Sequence, residues 1–370
     1  MVAVDGIRPA ASARPETAAE LASTLREAAA AGSAVIPIGG GRALGMGNPP
    51  ERFDLALETG ALHRLVEYQP ADLTVTVEAG VVLERLNEEL GESGQFLPLD
   101  PFGGPGHTVG GALAAGWSGP LRLRYGTARD YLIGLRVALP DGSLARSGGR
   151  VVKNVSGYDM NKLHLGALGS LGVIVEASFK VFPRPLSEQS LEVRVPTFAE
   201  AWAEADRALS AAMTPVALEI VSERGALSVA ARIAGTESGV LRIAAELGWG
   251  SAPADFWKTH ARRGAATWAR LSIRPGDLRS LLEVLPPGAE WIAQPGTGVA
   301  HWFDFDAASL TALRVAAEAA GGSLVILAAP PDLKAAIGAW GSPPPTADLM
   351  RQVRDAFDPS RTLSPGRYLV

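Results

Sequence analysis

The feature that most constrains this fold is the glycine-rich stretch at residues 98–182. It begins PLDPFGGPGHTVGGALAAGWSG and ends NKLHLGALGSLGVIVEASFKVF. Glycine is unfavourable inside helices and strands, but it permits left-handed backbone and close approach of chain segments. Short, repeated glycine blocks therefore predict loops whose backbone amides line a surface. Such a surface suits a large phosphate-bearing ligand, because amide N–H groups bind phosphate oxygens.

Composition excludes several classes of protein. A length of 370 residues predicts two domains, and the net charge of −5 argues against a nucleic-acid partner. Cysteine is absent, so this chain can form no disulfide, iron–sulfur cluster or cysteine-ligated zinc site, and no metal site is predicted. Because no apolar stretch of about 18 residues or signal-like pattern occurs, we expect a cytoplasmic protein that meets a membrane only through a partner.

Local patterns predict a helix near the start and a boundary near the middle. The helix covers residues 15–31, because Thr17 is a good N-cap and Glu20 lies three residues later. Alternating residues predict strands, and Asp141-Gly142 predicts the turn of a hairpin. Prolines mark a domain boundary near residues 183–187.

Beyond this boundary the sequence pattern predicts strands with crossing helices, and this arrangement of strands and helices occurs twice. The expected result is an α+β sheet with helices on one face. A final helix and an irregular tail follow, and we expect this segment to pack back on the first domain.

Residues 39–45 (GGGRALG) form a glycine loop after a predicted strand. The loop is not a Rossmann turn, because its spacing is not G-x-G-x-x-G and because Asn48-Pro49-Pro50 prevents a following helix. Two interpretations remain, a structural turn or a phosphate-binding nest of successive N–H groups. The second block at 103–111 favours the nest, because it again combines glycines with a hydroxyl, that of Thr108.

These blocks, in this order, resemble the FAD domain of the vanillyl-alcohol-oxidase (PCMH) type over about residues 15–185. PIGGGRALG is similar to its pyrophosphate loop, and HTVGG, AAGWSG and RYG with Asp130 are similar to its second cofactor segment. GSLGVI is similar to its closing strand, near the adenine. The resemblance implies these FAD-binding residues: Gly39, Gly40, Gly41, Arg42, Ala43, Leu44, Gly45, Pro101, Thr108, Val109, Gly110, Gly111, Ala114, Ala115, Ser118, Gly119, Arg124, Tyr125, Gly126, Val173 and Ile174.

Residues alone leave alternatives at two of these positions. Arg124 could equally form a surface ion pair with Asp130, and Tyr125 could be a core tyrosine with a bonded hydroxyl.

Within this superfamily the chain resembles the E subunits of bacterial glycolate oxidases. SGP at 118–120 and DPSRTLSPGRY near the end carry the likeness, with Ser364 where asparagine is common. The resemblance implies an α+β fold with a PCMH-type FAD-binding domain of two α+β subdomains (1–186). It also implies a smaller ferredoxin-like cap domain (187–345) and a C-terminal helix and tail (346–370). The implied partners are a larger FAD-containing catalytic subunit and an iron–sulfur subunit, and the implied reaction oxidises glycolate to glyoxylate.

Departures from related hydroxyacid dehydrogenases leave the catalytic residues unknown. Their H-x-G-D-G-N-x-H motif is missing, and His301 is either a catalytic or a structural histidine. The group Arg262, Arg263 and Arg270 could bind a carboxylate or form a solvated face. The glycine loop has no histidine, and Arg42 occupies that region, so FAD is expected to be non-covalent.

Lys153 in the run KNVSGYD could face a flavin or pair with Asp159. Two further hypotheses stay open: a self-sufficient FAD-dependent alcohol or 2-hydroxyacid oxidase, and a structural assembly subunit that has lost its flavin.

Overall fold

The protein, described by a computed structural model at residues 2–149, 159–257 and 265–370, divides into two compact units. Unit 1 contains Met1–Ser118, Thr127–Arg184 and Pro343–Val370, and unit 2 contains Gly119–Gly126 and Pro185–Ser342. Residues 119–126, which lie inside the range predicted for the first domain, thus belong to unit 2. Fold class is α+β, as predicted.

Unit 1 begins with a small parallel sheet. Its strands are β1 (Ala11–Ala13), β2 (Val35–Ile38) and β3 (Leu55–Glu58), in the order β1-β3-β2. The first helix, α1 (Ala18–Ala30), begins where predicted, because the Thr17 hydroxyl accepts a hydrogen bond from the Glu20 N–H. Leu21 and Leu25 of this helix pack into an apolar cluster with the sheet.

A second sheet of unit 1 has five antiparallel strands, in the order β4-β5-β9-β7-β8. Between β7 and β8 lies the predicted hairpin turn, with Gly142 at φ +85°. Strands of unit 1 from β4 onward are β4 (Leu65–Gln69), β5 (Thr74–Glu78), β6 (Gln95–Phe96), β7 (Leu132–Ala138), β8 (Leu144–Gly148), β9 (Val173–Lys180) and β10 (Phe182–Pro183), with β6 paired to β10. Helices up to residue 164 are α2 (Leu83–Gly91), α3 (Val109–Ala115), α4 (Arg122–Tyr125, in unit 2), α5 (Ala128–Tyr131) and α6 (Asn161–His164).

Unit 2 is built on an eight-stranded antiparallel sheet, in the order β14-β11-β13-β12-β16-β17-β15-β18. Each half repeats the β-α-β-β-α-β order of a ferredoxin-like motif, and β12 joins the halves by pairing with β16. The strands are β11 (Ser187–Val195), β12 (Ala217–Glu223), β13 (Ala226–Gly235), β14 (Gly250–Ser251), β15 (Trp268–Ser272), β16 (Glu290–Gln294), β17 (Val299–Phe303) and β18 (Ser323–Ala328). The helices are α7 (Phe198–Leu209), α8 (Glu237–Leu247), α9 (Pro275–Glu283), α10 (Ala307–Ala319) and α11 (Pro331–Ile337).

The C-terminal segment belongs to unit 1. After helix α12 (Ala347–Phe357), Leu363 forms a parallel bridge with Val35 of β2. The buried Asp358 carboxylate accepts hydrogen bonds from the N–H groups of Thr362 and Leu363, which fixes the tail beside the sheet.

No helix among the described residues has both the length and the apolar character that crossing a bilayer requires.

Candidate functional site

A cleft opens in unit 1 where three loops meet. One loop follows β2, one precedes α3, and one leads into β9. The cleft contains these predicted residues: Gly39, Gly40, Gly41, Arg42, Ala43, Leu44, Thr108, Gly110, Gly111, Ala114, Ala115, Val173 and Ile174.

Adjacent glycines in the first loop serve different purposes. A Cβ at Gly39 would lie 2.2 Å from Thr108 Oγ1, and one at Gly40 would lie 2.0 Å from the Gly106 carbonyl oxygen. These two residues are therefore glycine because the loops approach closely. A Cβ at Gly41 would make only an ordinary contact, 3.7 Å from Leu44 Cδ1, but φ is +71°, so conformation requires the glycine there. Among these three glycines, positive φ occurs at Gly41 alone.

Thr108 joins the two glycine loops. Its hydroxyl oxygen accepts hydrogen bonds from the N–H groups of Gly40 (3.2 Å) and Gly111 (3.3 Å), the second of which caps α3. A hydroxyl has two acceptor positions and one donor. With both acceptor positions used, the remaining O–H is a donor at the wall of the cleft.

Four successive backbone N–H groups, those of residues 41–44, face no acceptor in the part of the chain that the structure describes. All four residues line the cleft and retain solvent exposure. Clusters of successive amides bind anions, because each N–H carries a partial positive charge. The loop can therefore hold a diphosphate.

The Arg367 side chain holds the C-terminal part of this loop in place. Its Nη2 donates hydrogen bonds to the carbonyl oxygens of Leu44 (2.8 Å) and Met46 (2.5 Å). The side chain is buried, and burial lowers the pKa of Arg367 to about 10 despite nearby Asp5. It remains charged at neutral pH and forms an ion pair with Asp5 at 3.9 Å, so its part in the site is to hold the Leu44 and Met46 carbonyl groups in place.

His107 contributes a buried polar atom to the same wall. Burial lowers the pKa of His107 to about 4, so its ring is neutral at pH 7. Among the described residues its Nε2 has no hydrogen-bond partner, and the ring lies 5.5 Å from that of Trp117. A ligand atom that bonds to Nε2 would satisfy it.

The third loop carries strained backbone. Leu168 has φ +51°, a backbone conformation that is uncommon for residues other than glycine. Its N–H donates a hydrogen bond to the Ala114 carbonyl at 2.8 Å. Gly169 follows with φ +72°, and a Cβ there would lie 3.0 Å from Pro37. Strain of this kind often occurs at binding sites, where surrounding contacts enforce it.

Eight predicted residues do not line the cleft. Of these, Val109 is buried in α3, and its neighbour Gly110 is glycine because a Cβ would lie 2.7 Å from that of Ala79. Gly119, Arg124, Tyr125 and Gly126 belong to unit 2. Outside the cleft in unit 1 are also Gly45, Pro101 and Ser118.

Asp130 and Asp159, the candidate ion-pair partners of Arg124 and Lys153, contact other residues. The Asp130 carboxylate accepts a hydrogen bond from the Thr127 N–H at 2.7 Å and thereby caps α5. Asp159 forms an ion pair with Lys162 at 2.8 Å. Lys153 and its neighbours at 150–158, and Arg262 and Arg263, lie outside the described residues.

In unit 2, His301 lies in β17, with its Nδ1 accepting a hydrogen bond from Trp268 Nε1 at 3.0 Å. Both rings are buried. This contact gives His301 a structural role, in agreement with the second of the two interpretations.

Arg367, His107, Thr59 and Leu168 are cleft residues that the sequence did not identify. The SPGR run near the end was the available signal for Arg367, because it is part of the segment that resembles the family.

Comparisons with known proteins agree with this geometry. A family model described as "FAD binding domain" matches residues 9–148, and one described as "FAD linked oxidases, C-terminal domain" matches residues 334–368. The chain is 31% identical over 323 residues to "Glycolate oxidase subunit GlcE" of Escherichia coli, covering 82% of this chain and 85% of that one.

Other relatives are matched over part of their length. "Glycolate oxidase subunit GlcD" of Bacillus subtilis is 32% identical over 189 residues, which are 51% of this chain and 40% of that protein. A mitochondrial "D-lactate dehydrogenase [cytochrome]" of Arabidopsis thaliana is 34% identical over 49% of this chain and 31% of its own length. The fold is similar to a solved alkyldihydroxyacetonephosphate synthase, with a TM-score of 0.70, 17% identity, and coverage of 96% of this chain and 77% of that one.

Proposed function

We propose, from the premise that the chain belongs to the FAD-linked oxidase family, that it is the FAD-binding subunit of a complex that oxidises glycolate or another 2-hydroxyacid. The observation that carries this proposal is the row of unbonded amides at residues 41–44, placed above buried Arg367. FAD has a diphosphate at its centre, and such a group needs several donors and little steric bulk. The cleft offers both.

Each wall of the cleft has a role in this proposal. The amides of residues 41–44 and the Thr108 hydroxyl would donate to the pyrophosphate oxygens. Backbone at Val173 and Ile174 would contact the adenine side, and small residues Ala114 and Ala115 would leave room for a flat ring. FAD is held without a covalent bond, because the chain has no cysteine and residues 39–47 contain no histidine.

A base for hydroxyacid oxidation would need a pKa near the working pH. In the described part of the cleft, His107 is the single imidazole or carboxylate group, and its pKa of about 4 makes it a weak base. Bound FAD supplies the electron acceptor but no base for the substrate hydroxyl. This supports a chain that works beside a larger catalytic flavoprotein subunit, with an iron–sulfur subunit to take the electrons.

Purified protein tests the cofactor assignment. We expect the visible absorption bands of oxidised flavin, and we expect acid precipitation to release that flavin into the supernatant. A colourless protein that fails to bind added FAD would contradict FAD binding and favour a subunit that has lost flavin. Flavin retained in the acid pellet would contradict the non-covalent assignment alone.

Two further measurements test the subunit assignment. Glycolate oxidation with a dye acceptor should be negligible for the chain alone, and robust turnover would favour a self-sufficient oxidase. Co-purification from cells that express the chain with a tag should recover a second flavoprotein and an iron-containing protein, which flavin and iron counts would detect. We expect this complex in the cytoplasmic fraction, or at the inner face of the membrane through its partners.

A further inference from the structure

Residues 4–7 form a minimal hairpin, the 4–7 hairpin. Val4 and Ile7 exchange two backbone hydrogen bonds, of 2.9 and 3.0 Å, across the turn residues Asp5 and Gly6. Both turn residues have positive φ, +49° at Asp5 and +82° at Gly6. This backbone is typical of a type I′ turn, for which Asp-Gly is a preferred sequence. The conformation of the hairpin therefore follows from its own four residues.

Apolar packing places the 4–7 hairpin beside the glycine loop. Val4 is fully buried in a cluster with Ile36 and Ile38 of β2, and Leu44 of the loop packs against the same cluster. This anchor needs no charged side chain. The charge of Asp5 can therefore be removed while the anchor of the hairpin stays.

Asp5 meets Arg367 inside unit 1. Its Oδ2 lies 3.9 Å from Arg367 Nη1, and the side chains of Asp5 and Arg367 are 5% and 3% exposed. Salt screens a pair so well shielded from water only weakly, so the attraction between the two charges is effective at this distance. Without the carboxylate, the buried charge of Arg367 would be less well compensated, which favours movement of its side chain.

Arg367 connects Asp5 to the loop. Its Nη2 donates hydrogen bonds to the carbonyl oxygens of Leu44 and Met46, at 2.8 and 2.5 Å. Its backbone carbonyl accepts the Asn48 N–H at 3.0 Å. The guanidinium is planar and rigid, so the position of Nη1 determines where Nη2 lies. A carboxylate that holds Nη1 therefore also holds the two loop carbonyl groups.

We propose that Asp5 is a positioning residue of the cofactor cleft, which acts on the glycine loop through Arg367. By holding the arginine, it keeps the Leu44 and Met46 carbonyl groups in place, and with them the amide row at residues 41–44. Aspartate suits this position twice, because it tolerates positive φ better than most residues and because it carries the charge. The choice of FAD as the probe rests on the proposed function, whereas the hold on the loop is a property of the flavin-free chain.

Asp5→Asn in the full-length chain tests the proposal. It removes the charge and keeps the turn, because Asn-Gly is also a preferred type I′ sequence. One control, Asp141→Asn, makes the same change at the exposed Asp-Gly turn between β7 and β8. A second control, Ala22→Gly, lies inside α1 and lowers the stability of unit 1 through helix propensity.

Titration of the flavin-free protein with FAD, followed by flavin fluorescence, is the first measurement. Asp5→Asn should weaken FAD binding about threefold to tenfold, a coupling typical of residues in one network. Both controls should bind FAD as the wild-type protein does. Unchanged or tighter binding in Asp5→Asn, or an equal loss in either control, would overturn the proposal.

Arg367→Met provides a second background, because it already breaks the connection between hairpin and loop. In this background, Asp5→Asn should cause no further loss of FAD affinity. Losses that multiply in the double variant would mean that Asp5 acts by a route other than Arg367, and would also overturn the proposal.

Amide chemical shifts of the flavin-free protein test the hold on the loop without the cofactor. Asp5→Asn should move the N–H signals of Met46 and Asn48, whereas Asp141→Asn should leave them in place. If the wild-type protein binds no FAD while these signals move, FAD binding alone is refuted. If the wild-type protein binds FAD while neither the signals nor the affinity respond to Asp5→Asn, the positioning role alone is refuted.

Discussion

Replacing Thr108 with valine should disconnect the two glycine loops while preserving side-chain shape. The change removes the acceptor for the N–H groups of Gly40 and Gly111. Loss of a threonine N-cap costs about 1 kcal/mol, and leaving the Gly40 N–H without a partner costs about 1–3 kcal/mol. We therefore expect Thr108→Val to lower the free energy of unfolding of the apoprotein by about 2–4 kcal/mol, measured by urea denaturation.

The affinity of Thr108→Val for FAD should fall by more than its lower free energy of unfolding accounts for. A hydrogen bond to a charged acceptor contributes about 1.5–3 kcal/mol, so loss of the Thr108 O–H donor should weaken FAD about tenfold to a hundredfold. Flavin fluorescence during titration of apoprotein would measure this change. Thr108→Ser, which keeps the hydroxyl, should retain most of the affinity.

Thr197 provides a matched control, because its hydroxyl caps α7 in unit 2 by accepting the Glu200 N–H at 3.2 Å. Thr197→Val should cost about 1 kcal/mol and leave FAD affinity unchanged. Unchanged FAD affinity in Thr108→Val, or an equal loss in both variants, would refute the assigned role of Thr108.

Three further predictions concern the tail, the loop and pH. Ser364 is buried with φ +46°, and its hydroxyl donates a hydrogen bond to the Leu168 carbonyl at 3.1 Å, so the β-branched, apolar Ser364→Val should lower the melting temperature, and an unchanged value would contradict this. Arg367→Met should weaken FAD binding at least tenfold, because the carbonyl groups of Leu44 and Met46 lose their donor, and unchanged affinity in titrations would contradict this. The pKa values of His107 and His164 are lowered to about 4 by burial, so the unfolded chain binds more protons than the folded chain between pH 4 and 6.5. Stability should therefore be complete above pH 6.5 and fall as pH decreases through this window, by up to about 1.4 kcal/mol per pH unit for each histidine. Urea midpoints at pH 5 and 7 would measure the loss, and His164→Asn should reduce it, so an unchanged difference would contradict the assignment.

Features governed by neighbouring residues were predictable from the sequence. Helix α1 begins at Thr17 because the cap and Glu20 are within one turn, and the hairpin turns at Gly142 because positive φ is needed there. The glycine loop after β2 was predicted for the same reason: its composition restricts what the backbone can do.

Contacts between distant residues were not predictable. No local pattern links Gly40 to Thr108, and the assignment of residues 119–126 to unit 2 depends on packing with strands that begin after residue 185. Arg270 illustrates the same limit, because the sequence grouped it with Arg262 and Arg263 and did not show that it lies opposite His301 in a sheet. The sequence identifies the type of residue, and tertiary structure determines what it faces.

The bond between Arg367 and the Leu44 carbonyl joins residues 323 positions apart. During synthesis, the glycine loop leaves the ribosome long before the arginine that holds it. The loop therefore lacks these two hydrogen bonds while all of unit 2 is made. We expect tight flavin binding only after residue 367 has been synthesised and has packed against the loop.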